Sequence, residues 1–457
     1  MPNATAARRA IPLHQRIEAA RALVASRPAW ELSGRVAGVM GLSLEVEGLH
    51  GMLAVGDRLA VASRLGGPNR GVIAEVVGFR QGKAMALAFD ALDGIGPGAR
   101  VMLRQPARMA PGDGWLGRVI DPLGRPLDGK GPLPPGPITR PVRAAPPNAG
   151  QRARLGPRLD LGVRALNGFA TCRQGQRLGL FAGSGVGKST LLSMLARDTD
   201  CDVTVLALVG ERGRELREFI EDDLGPAGLA RSVVFCATSD APPLLRRDCA
   251  HAALAAAEHF RDEGKRVLLL MDSVTRFCQA LREIGLSAGE PPATRGYTPS
   301  VFAELPRLLE RAGPGLEGNG GTITGLFTVL VEGDDHNEPI SDAVRGILDG
   351  HVVLDRRIAE AGRYPAIDVL KSLSRTVPGC LSPEEAEAAA EARKILALAA
   401  EMADMVRLGA YRTGTDPATD RALAIAPKLE DFLRQRKGEK AALDADFAQL
   451  AAIVGTA

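Results

Sequence analysis

The residues best suited to chemistry form a glycine-rich segment made of Ala182, Gly183, Ser184, Gly185, Val186, Gly187, Lys188, Ser189 and Thr190. It follows an apolar run and opens a helical pattern, the setting that a phosphate-binding loop requires. Glycines let backbone N–H groups turn toward phosphate oxygens, and a helix N-terminus adds a favourable dipole. In such a loop Lys188 bridges the β- and γ-phosphates, and the Ser189 hydroxyl binds Mg²⁺. The segment therefore predicts a site for ATP and Mg²⁺, with Ala182 standing where the usual pattern has glycine.

Two carboxylates follow predicted strands that are expected beside this loop. Asp272 ends the apolar run VLLLM, where a P-loop enzyme places a carboxylate near its Mg²⁺. Glu211 follows the run DVTVLALVG, and a carboxylate there can orient water and take its proton. The alternatives are that Asp272 caps a helix and that Glu211 belongs to a surface charge cluster with Arg214 and Glu215. Arg212, next to Glu211, joins the predicted nucleotide-binding residues.

Alternating strand-like and helical segments must position these residues. From Gln176 onward, apolar runs such as RLGLFAG, SVVFCATS and HVVLD alternate with helical patterns at Lys188–Asp198 and Cys249–Glu263. Continuous apolar strands separated by helices predict a parallel sheet covered on both faces. Parallel sheets place their ligands at the carboxyl ends of the strands, where both carboxylates are found.

Three further regions flank this core. Residues 30 to about 105 carry short alternating apolar runs with turn signals about every ten residues, which predicts a small β-barrel. Prolines crowd the stretch from Pro122 to Pro157, which is expected to wrap or link and not to supply core strands or helices. After Gly379 the pattern is helical, with Ser382 as N-cap of an Ala- and Glu-rich helix that extends to about Gly409.

Composition argues against a nucleic-acid partner and against a membrane span. The formal net charge is +3 and aromatic residues make up 4% of the chain, which leaves little material for base-stacking surfaces. No run reaches the roughly 18 apolar residues that a membrane span needs. The six cysteines form no CxxC pair, so they are predicted to be buried thiols of a reducing cytoplasm.

The N-terminal segment supports two interpretations. Its composition is rich in arginine and poor in acidic residues, as in a mitochondrial presequence. Its apolar residues also follow helical spacing, which predicts a short docking helix containing Leu13, Ile17, Ala20 and Val24.

Longer segments extend the motifs described above. They are GLFAGSGVGKSTLL, LVGERGRELREFIED, the run from LLLMDSVTRF to LLERAG, and the run from TVLVEGDDHNEP to DVLKSLSR. Together they resemble the flagellar export ATPase family, which is similar to injectisome export ATPases and to the catalytic subunit of rotary ATP synthases. The resemblance implies an α/β protein with an N-terminal docking helix (1–28), a β-barrel domain (29–108), a RecA-like P-loop ATPase domain (109–378) and a helical C-terminal domain (379–457).

The resemblance also implies roles for residues at matching positions. Lys188 and Ser189 match the phosphate-loop lysine and the Mg²⁺-binding hydroxyl, and Glu211 matches the catalytic carboxylate. Asp272 completes the Mg²⁺ site, through a water molecule. Tyr364, in GRYPAID, matches the aromatic residue that packs on adenine, with a core tyrosine as the alternative.

Arg375, in KSLSR, matches the arginine finger that one subunit offers to the γ-phosphate of its neighbour, with a surface arginine as the alternative. Such a finger accelerates hydrolysis by roughly 10³–10⁵. Leu370 and Lys371 depart from the small or acidic residues expected beside the finger, so its supporting contacts are expected to differ. Arg276, in DSVTRF, matches a basic residue near the active site.

A chain that carries both the loop and the finger can complete the sites of identical neighbours, which predicts a homohexameric ring. The resemblance implies a stator-type regulatory subunit at the N-terminal helix, and a central-stalk protein, export chaperones and cargo at the C-terminal domain. It also implies a cytoplasmic protein that is peripheral at the inner-membrane export gate.

The predicted function is Mg²⁺-dependent ATP hydrolysis that energises protein export through a bacterial flagellar type III secretion apparatus. An injectisome ATPase would share this chemistry and differ in cargo. A rotary synthase subunit would need a partner chain for the finger, and an RNA translocase would need a basic, aromatic surface. A scaffold with incidental ATPase activity is a further alternative.

Overall fold

The computed structural model describes residues 13–14, 17–18, 20–21, 32–49, 51–65, 71–318, 320–331 and 338–455. The chain divides into two compact units, Met1–Gln105 and Pro106–Ala457. In the N-terminal segment Leu13, Ile17 and Ala20 are helical and exposed, and Val24 lies outside the described residues. The docking role of this segment and the domain boundaries stay predictions.

The first unit contains a closed barrel of six antiparallel strands in the order β1-β2-β5-β4-β3-β6. Side chains alternate between inside and outside along these strands, so Leu59 and Val61 are fully buried while their neighbours are not. The predicted β-barrel is confirmed. Its strands are β1 Ser33–Met40, β2 Ser43–Glu47, β3 Arg58–Ala62, β4 Gly71–Arg80, β5 Lys83–Ala88 and β6 Arg100–Arg104.

The second unit is built around a nine-stranded sheet in the order β19-β18-β12-β17-β15-β13-β14-β8, with β16 beside β17. The predicted parallel sheet is confirmed for its centre, whereas β16 and the edge strand β19 are antiparallel to their neighbours. The remaining strands are β7 Arg108–Met109, β8 Arg118–Ile120, β9 Arg140–Pro141, β10 Arg158–Leu159, β11 Cys172–Arg173, β12 Arg177–Ala182, β13 Val203–Glu211, β14 Ser232–Thr238, β15 Arg266–Asp272, β16 Gly313–Pro314, β17 Thr322–Leu330, β18 Gly350–Leu354 and β19 Ile367–Ser374.

Helices connect these strands. They are α1 Arg164–Phe169, α2 Lys188–Asp198, α3 Gly213–Glu218, α4 Gly225–Ala230, α5 Pro243–Asp262, α6 Val274–Ala288, α7 Pro299–Leu309, α8 Pro339–Ile347, α9 Arg356–Glu360, α10 Pro383–Arg407, α11 Pro417–Leu433 and α12 Leu443–Val454. A π-helical turn, Phe219–Leu224, joins α3 to α4. The predicted bounds of α2 are confirmed. The predicted start of α5 at Cys249 is wrong, because the helix begins at Pro243. Proline is favoured at the first position of a helix, since the N–H group that it lacks would have no partner within the helix there.

The C-terminal helices share their core with the nucleotide-binding sheet. Ser382 accepts from the Glu385 N–H while the Glu385 side chain accepts from the Ser382 N–H, which confirms the predicted cap of α10. Phe432 of α11 and Leu450 of α12 are buried in the same cluster as Leu191 of α2. The phosphate-loop helix and the C-terminal helices therefore belong to one continuous, closely packed core.

A buried ion pair ties the proline-rich stretch to the core. Arg311 is fully buried and makes two 2.8 Å hydrogen bonds to Glu258. Its remaining guanidinium nitrogen donates to the Val142 carbonyl at 3.0 Å. Between 122 and 157 only the two-residue β9 and one short 3₁₀ turn form, as predicted from the prolines.

The six cysteines carry no disulfide. Five are buried, as predicted, and burial raises the pKa of the Cys236 thiol to about 12. The prediction is wrong for Cys380, which is only partly buried. Within the described parts of the chain, no helix combines the length and the apolar character that crossing a membrane demands.

Candidate active site

The glycine-rich segment forms a loop between the end of β12 and the start of α2. Gly185 and Gly187 adopt φ angles of 77° and 89°, which residues with a Cβ rarely adopt. A Cβ on Gly187 would also lie 3.2 Å from the Tyr364 ring, so the loop and this tyrosine are in close contact. Helix α2 begins at Lys188 with no side-chain cap, which leaves its first N–H groups available to an anion.

Lys188 lies between the two predicted carboxylates. Its Nζ is 3.4 Å from Glu211 Oε1 and forms a shorter hydrogen bond with Asp272 Oδ1. Burial opposes the charge on Lys188, but the two carboxylates outweigh it and raise the pKa of the ammonium group. Burial, and then the charge of Asp272, raise the pKa of Glu211 above its usual range, although Lys188 acts in the opposite direction. The structure thus brings the three predicted groups together.

Asp272 is held by a residue that the sequence analysis missed. The Thr328 hydroxyl donates to Asp272 Oδ1 at 2.7 Å. This contact arises because β15 and β17 are adjacent parallel strands, paired from Arg266 with Thr322 to Met271 with Phe327. The only sequence signal for this contact is a single threonine within the otherwise apolar segment GLFTVLV.

Glu211 sits at the carboxyl end of β13, next to a tightly packed glycine. Gly210 has a φ angle of 71°, and a Cβ there would lie 3.0 Å from the Arg276 side chain. Arg276 donates to Gln279 at 2.9 Å, and its buried Nε has no hydrogen-bond partner among the described residues. An unpaired guanidinium N–H at this place fits an incoming phosphate oxygen.

The surface-cluster alternative holds for the residues after Glu211. Arg214 pairs with Glu218 at 2.9 Å, one helical turn along α3 and exposed to solvent. Arg212 is also exposed and pairs with Glu215 at 3.2 Å, although both line the cleft. Arg212 therefore lies at the rim of the predicted nucleotide site.

Two adjoining cavities extend over the loop. One has a volume of about 820 Å³ and contains the phosphate loop, Glu211 and Arg276. The other, of about 480 Å³, is lined by Tyr364 together with the loop that follows α11. Tyr364 is 43% exposed, so it is not a core tyrosine. The backbone N–H of Gln435 in that loop donates to the backbone carbonyl of Tyr364 at 2.9 Å, which holds the tyrosine backbone against the loop.

Arg375 lies at the opposite end of the sheet from the phosphate loop of its own chain. Ala182 is paired with Leu354 at one end of β18, whereas Gly350 at the other end is paired with Ser374. Leu354 and Gly350 are four residues apart along β18, and at about 3.3 Å per residue the two ends of the strand are roughly 13 Å apart. The Arg375 side chain is exposed and lies 3.5 Å from the Arg345 carbonyl. The fold therefore does not bring Arg375 to its own loop.

The donor set fits ATP with Mg²⁺. Ser189 lines the cleft, and Asp272 and Glu211 supply further oxygen atoms, which are the ligands that Mg²⁺ prefers. Among the described residues no group of three or more His, Cys, Asp or Glu side chains is arranged to hold a metal. Phosphate and water oxygens would therefore provide most of the coordination, as is usual for Mg²⁺ in nucleotide sites.

Comparisons with known families agree with this geometry. The model described as "ATP synthase alpha/beta family, nucleotide-binding domain" matches residues 162–374. The model described as "T3SS EscN ATPase C-terminal domain" matches residues 381–452. The fold and the site together define an ATPase with a RecA-like core, of the class found in type III secretion systems.

Individual relatives narrow this class. The chain is 55% identical over 426 residues to the flagellum-specific ATP synthase of Caulobacter vibrioides, covering 92% of this chain and 95% of that protein. It is 47% identical over 428 residues to the protein of the same name from Salmonella typhimurium, covering 92% and 93%. The chain belongs to the flagellum-specific ATP synthase family.

Solved structures show the same fold. The assembled ATPase EscN from the type III secretion system of enteropathogenic E. coli superposes with a TM-score of 0.85 at 39% identity, covering 92% of this chain and 100% of that one. EscN in complex with its central stalk EscO gives a TM-score of 0.83 at 38% identity, with the same coverage.

Proposed function

We propose that this chain forms a homohexameric ring that hydrolyses ATP to energise protein export through a bacterial flagellar type III secretion apparatus. The observation that carries the proposal is the separation of Arg375 from the site that holds Lys188, Glu211 and Asp272. If Arg375 is an arginine finger, it must act on the site of another subunit, because it does not reach the site of its own chain. Identical subunits arranged head to tail in a closed ring would each supply Arg375 to the site of the next subunit.

Each residue of the cleft has a separate role in the reaction. Lys188 and the N–H groups at the start of α2 bind the phosphates, and Arg276 offers its unpaired Nε to a phosphate oxygen. Glu211 orients a water molecule and accepts its proton as the bond to the γ-phosphorus forms. As that bond forms, the bond from the γ-phosphorus to the bridging oxygen breaks and this oxygen leaves with ADP, while Arg375 of the neighbouring subunit stabilises the charge of the transition state.

Tyr364 packs on the base, on the side of the loop where the second cavity opens. Ser189 and Asp272 would hold Mg²⁺, Asp272 through water, and the ion would neutralise charge on the β- and γ-phosphates. Lys188 must leave Asp272 when the phosphates arrive, so nucleotide binding frees the carboxylate for that task.

We extend the proposal to partners and location by resemblance to the family. Because EscN forms a complex with its central stalk EscO, we propose that helices α10 to α12 bind a central-stalk protein. Export chaperones and cargo are proposed at the same helices by resemblance to the family alone. A stator-type subunit at the N-terminal helix and a peripheral position at the inner-membrane export gate complete the proposal. Movements of α2 would reach these partners through the shared core around Leu191 and Phe432.

The test is the ATPase rate per subunit across a wide range of protein concentration, with Arg375→Ala in parallel. A rate that rises cooperatively with concentration and collapses in the variant supports a ring in which subunits complete each other. A low rate that is independent of concentration and indifferent to the substitution would reject it.

A further inference from the structure

Arg356 contacts the tip of the phosphate loop, and no motif gives it a role. It is the first residue of α9, separated from the end of β18 only by Asp355. Because β18 and β12 are parallel and paired from Gly179 with His351 to Ala182 with Leu354, the start of α9 lies beside the start of the phosphate loop. The Arg356 Nη2 donates to the Ser184 carbonyl at 3.1 Å, and both residues line the larger cavity.

This hydrogen bond acts on the peptide unit between Ser184 and Gly185. In a trans peptide the carbonyl of one residue and the N–H of the next point in opposite directions. Holding the Ser184 carbonyl toward Arg356 therefore commits the Gly185 N–H to the other side of the loop. A guanidinium donor makes a stronger hydrogen bond than a neutral one, so it can bias a glycine-rich segment that is otherwise free to rotate.

The position of Arg356 is fixed in turn by Asp355 and Lys371. Asp355 caps α9 by accepting from the Arg357 N–H at 2.8 Å. Lys371, in β19, binds Asp355 at 2.7 Å and Asp368 at 3.0 Å. Asp355 is thereby held from both sides, and α9 starts at one defined place relative to β19.

We propose that Arg356 is a positioning residue for the phosphate loop, that it directs the Gly185 N–H toward the nucleotide phosphates, and that Lys371 holds it there through Asp355. The contact links the loop to the strand that ends just before Arg375. Polar contacts thus connect the phosphate loop of each subunit with the strand that precedes its own Arg375. The inference rests on the proposed nucleotide site.

The experiment measures the affinities of ATP, ADP and adenosine by competition with a fluorescent ATP analogue, using the full chain. The variants are Arg356→Ala, Arg356→Lys and Lys371→Met, with Arg357→Ala as the matched control on the same helix. We expect Arg356→Ala to weaken ATP and ADP together by about three- to tenfold, the size of one exposed charge-assisted hydrogen bond. Adenosine should bind as before, Arg356→Lys should recover part of the loss, and Lys371→Met should show a smaller loss of the same kind.

Three results would overturn the inference. Arg356→Ala and Arg357→Ala could give the same affinities, which would mean that the contact does not act on the loop. A loss for ATP alone would show that Arg356 touches the γ-phosphate directly. A loss that includes adenosine, with a lower melting temperature, would show a general structural effect. An unmodified chain that binds neither ATP nor ADP would instead reject the proposed function.

Discussion

The Lys188 ammonium lies 3.4 Å from a Glu211 oxygen, and the same ammonium binds Asp272. Under the proposed roles, the cation that binds the phosphates and the carboxylate that activates the water form an ion pair with each other. Phosphate groups that draw Lys188 toward them release Glu211 at the same time. In the proposed mechanism, Glu211 would thus become available to activate water only when a nucleotide is bound.

Glu211→Gln is expected to reduce kcat by about 10²–10⁴, because the amide cannot accept the proton of the attacking water. ATP affinity should be kept or should rise, since the amide no longer holds Lys188 by charge. Single-turnover hydrolysis and equilibrium binding measure the two effects separately. Glu215→Gln, on the exposed rim of the same cleft, is the control and should retain activity.

The acid limb of the pH–rate profile should lie above the ordinary range of a glutamate. Burial and the Asp272 charge raise the pKa of Glu211, so the group takes up its proton, and stops serving as a base, at a higher pH than usual. The profile of kcat/KM reports the nucleotide-free enzyme, in which this environment exists. A limb at or below pH 4.5 would contradict the assignment.

Mixing two inactive variants should restore activity. In Lys188→Ala the loop is defective, and in Arg375→Ala the finger is missing. A mixed ring contains sites that pair an intact loop from one chain with an intact finger from the next, about a quarter of all sites at equal mixing. Recovery to roughly that fraction of the normal rate is the expected result. Mixtures that stay inactive, although the chains co-assemble, would contradict the exchange of Arg375.

Breaking the buried pair of Arg311 and Glu258 should destabilise the second unit strongly. Glu258→Gln leaves a fully buried guanidinium without its counter-charge, which costs about 3–5 kcal/mol. Arg307→Ala removes an exposed pair with Glu304 and is expected to cost less than about 1 kcal/mol. Denaturant unfolding compares the two, and equal effects would mean that the pair is not sealed from water.

Asp446 should make the free energy of unfolding depend on pH in the mildly acidic range. Burial raises its pKa to about 6, although the Asn167 amide at 2.8 Å and Arg164 act in the opposite direction. The folded form then holds a proton that the unfolded form has lost, so stability declines as pH rises from about 4 to about 6 and is constant above. Asp446→Asn should be more stable than the unmodified chain at pH 8, and the advantage should shrink as pH falls below about 6 and vanish below about 4.

The local parts of the site were predictable from sequence. The loop from Ala182 to Thr190, the bounds of α2 and the cap at Ser382 each depend on residues within a few positions of one another. Glu211 and Asp272 follow from the rule that ligands bind where parallel strands end. These features required no knowledge of register between distant segments.

The remaining contacts depend on pairings between strands far apart in the chain. Thr328 reaches Asp272 because β17 lies beside β15, and Arg356 reaches Ser184 because β18 lies beside β12. The antiparallel direction of β19, which carries Arg375 away from its own loop, has no local signal either. Lys371 looked like a departure beside the finger, yet its partners are Asp355 and Asp368 on the same chain.

The unequal burial of the cysteines has a practical use. Five thiols are enclosed in the interior, and Cys380 alone among the six is partly open to solvent. A thiol-reactive dye should therefore mark the native chain at one place, five positions beyond Arg375. In an assembled ring such dyes would sit at regular intervals close to the contacts between neighbours, and energy transfer between them would report subunit exchange without any engineered residue.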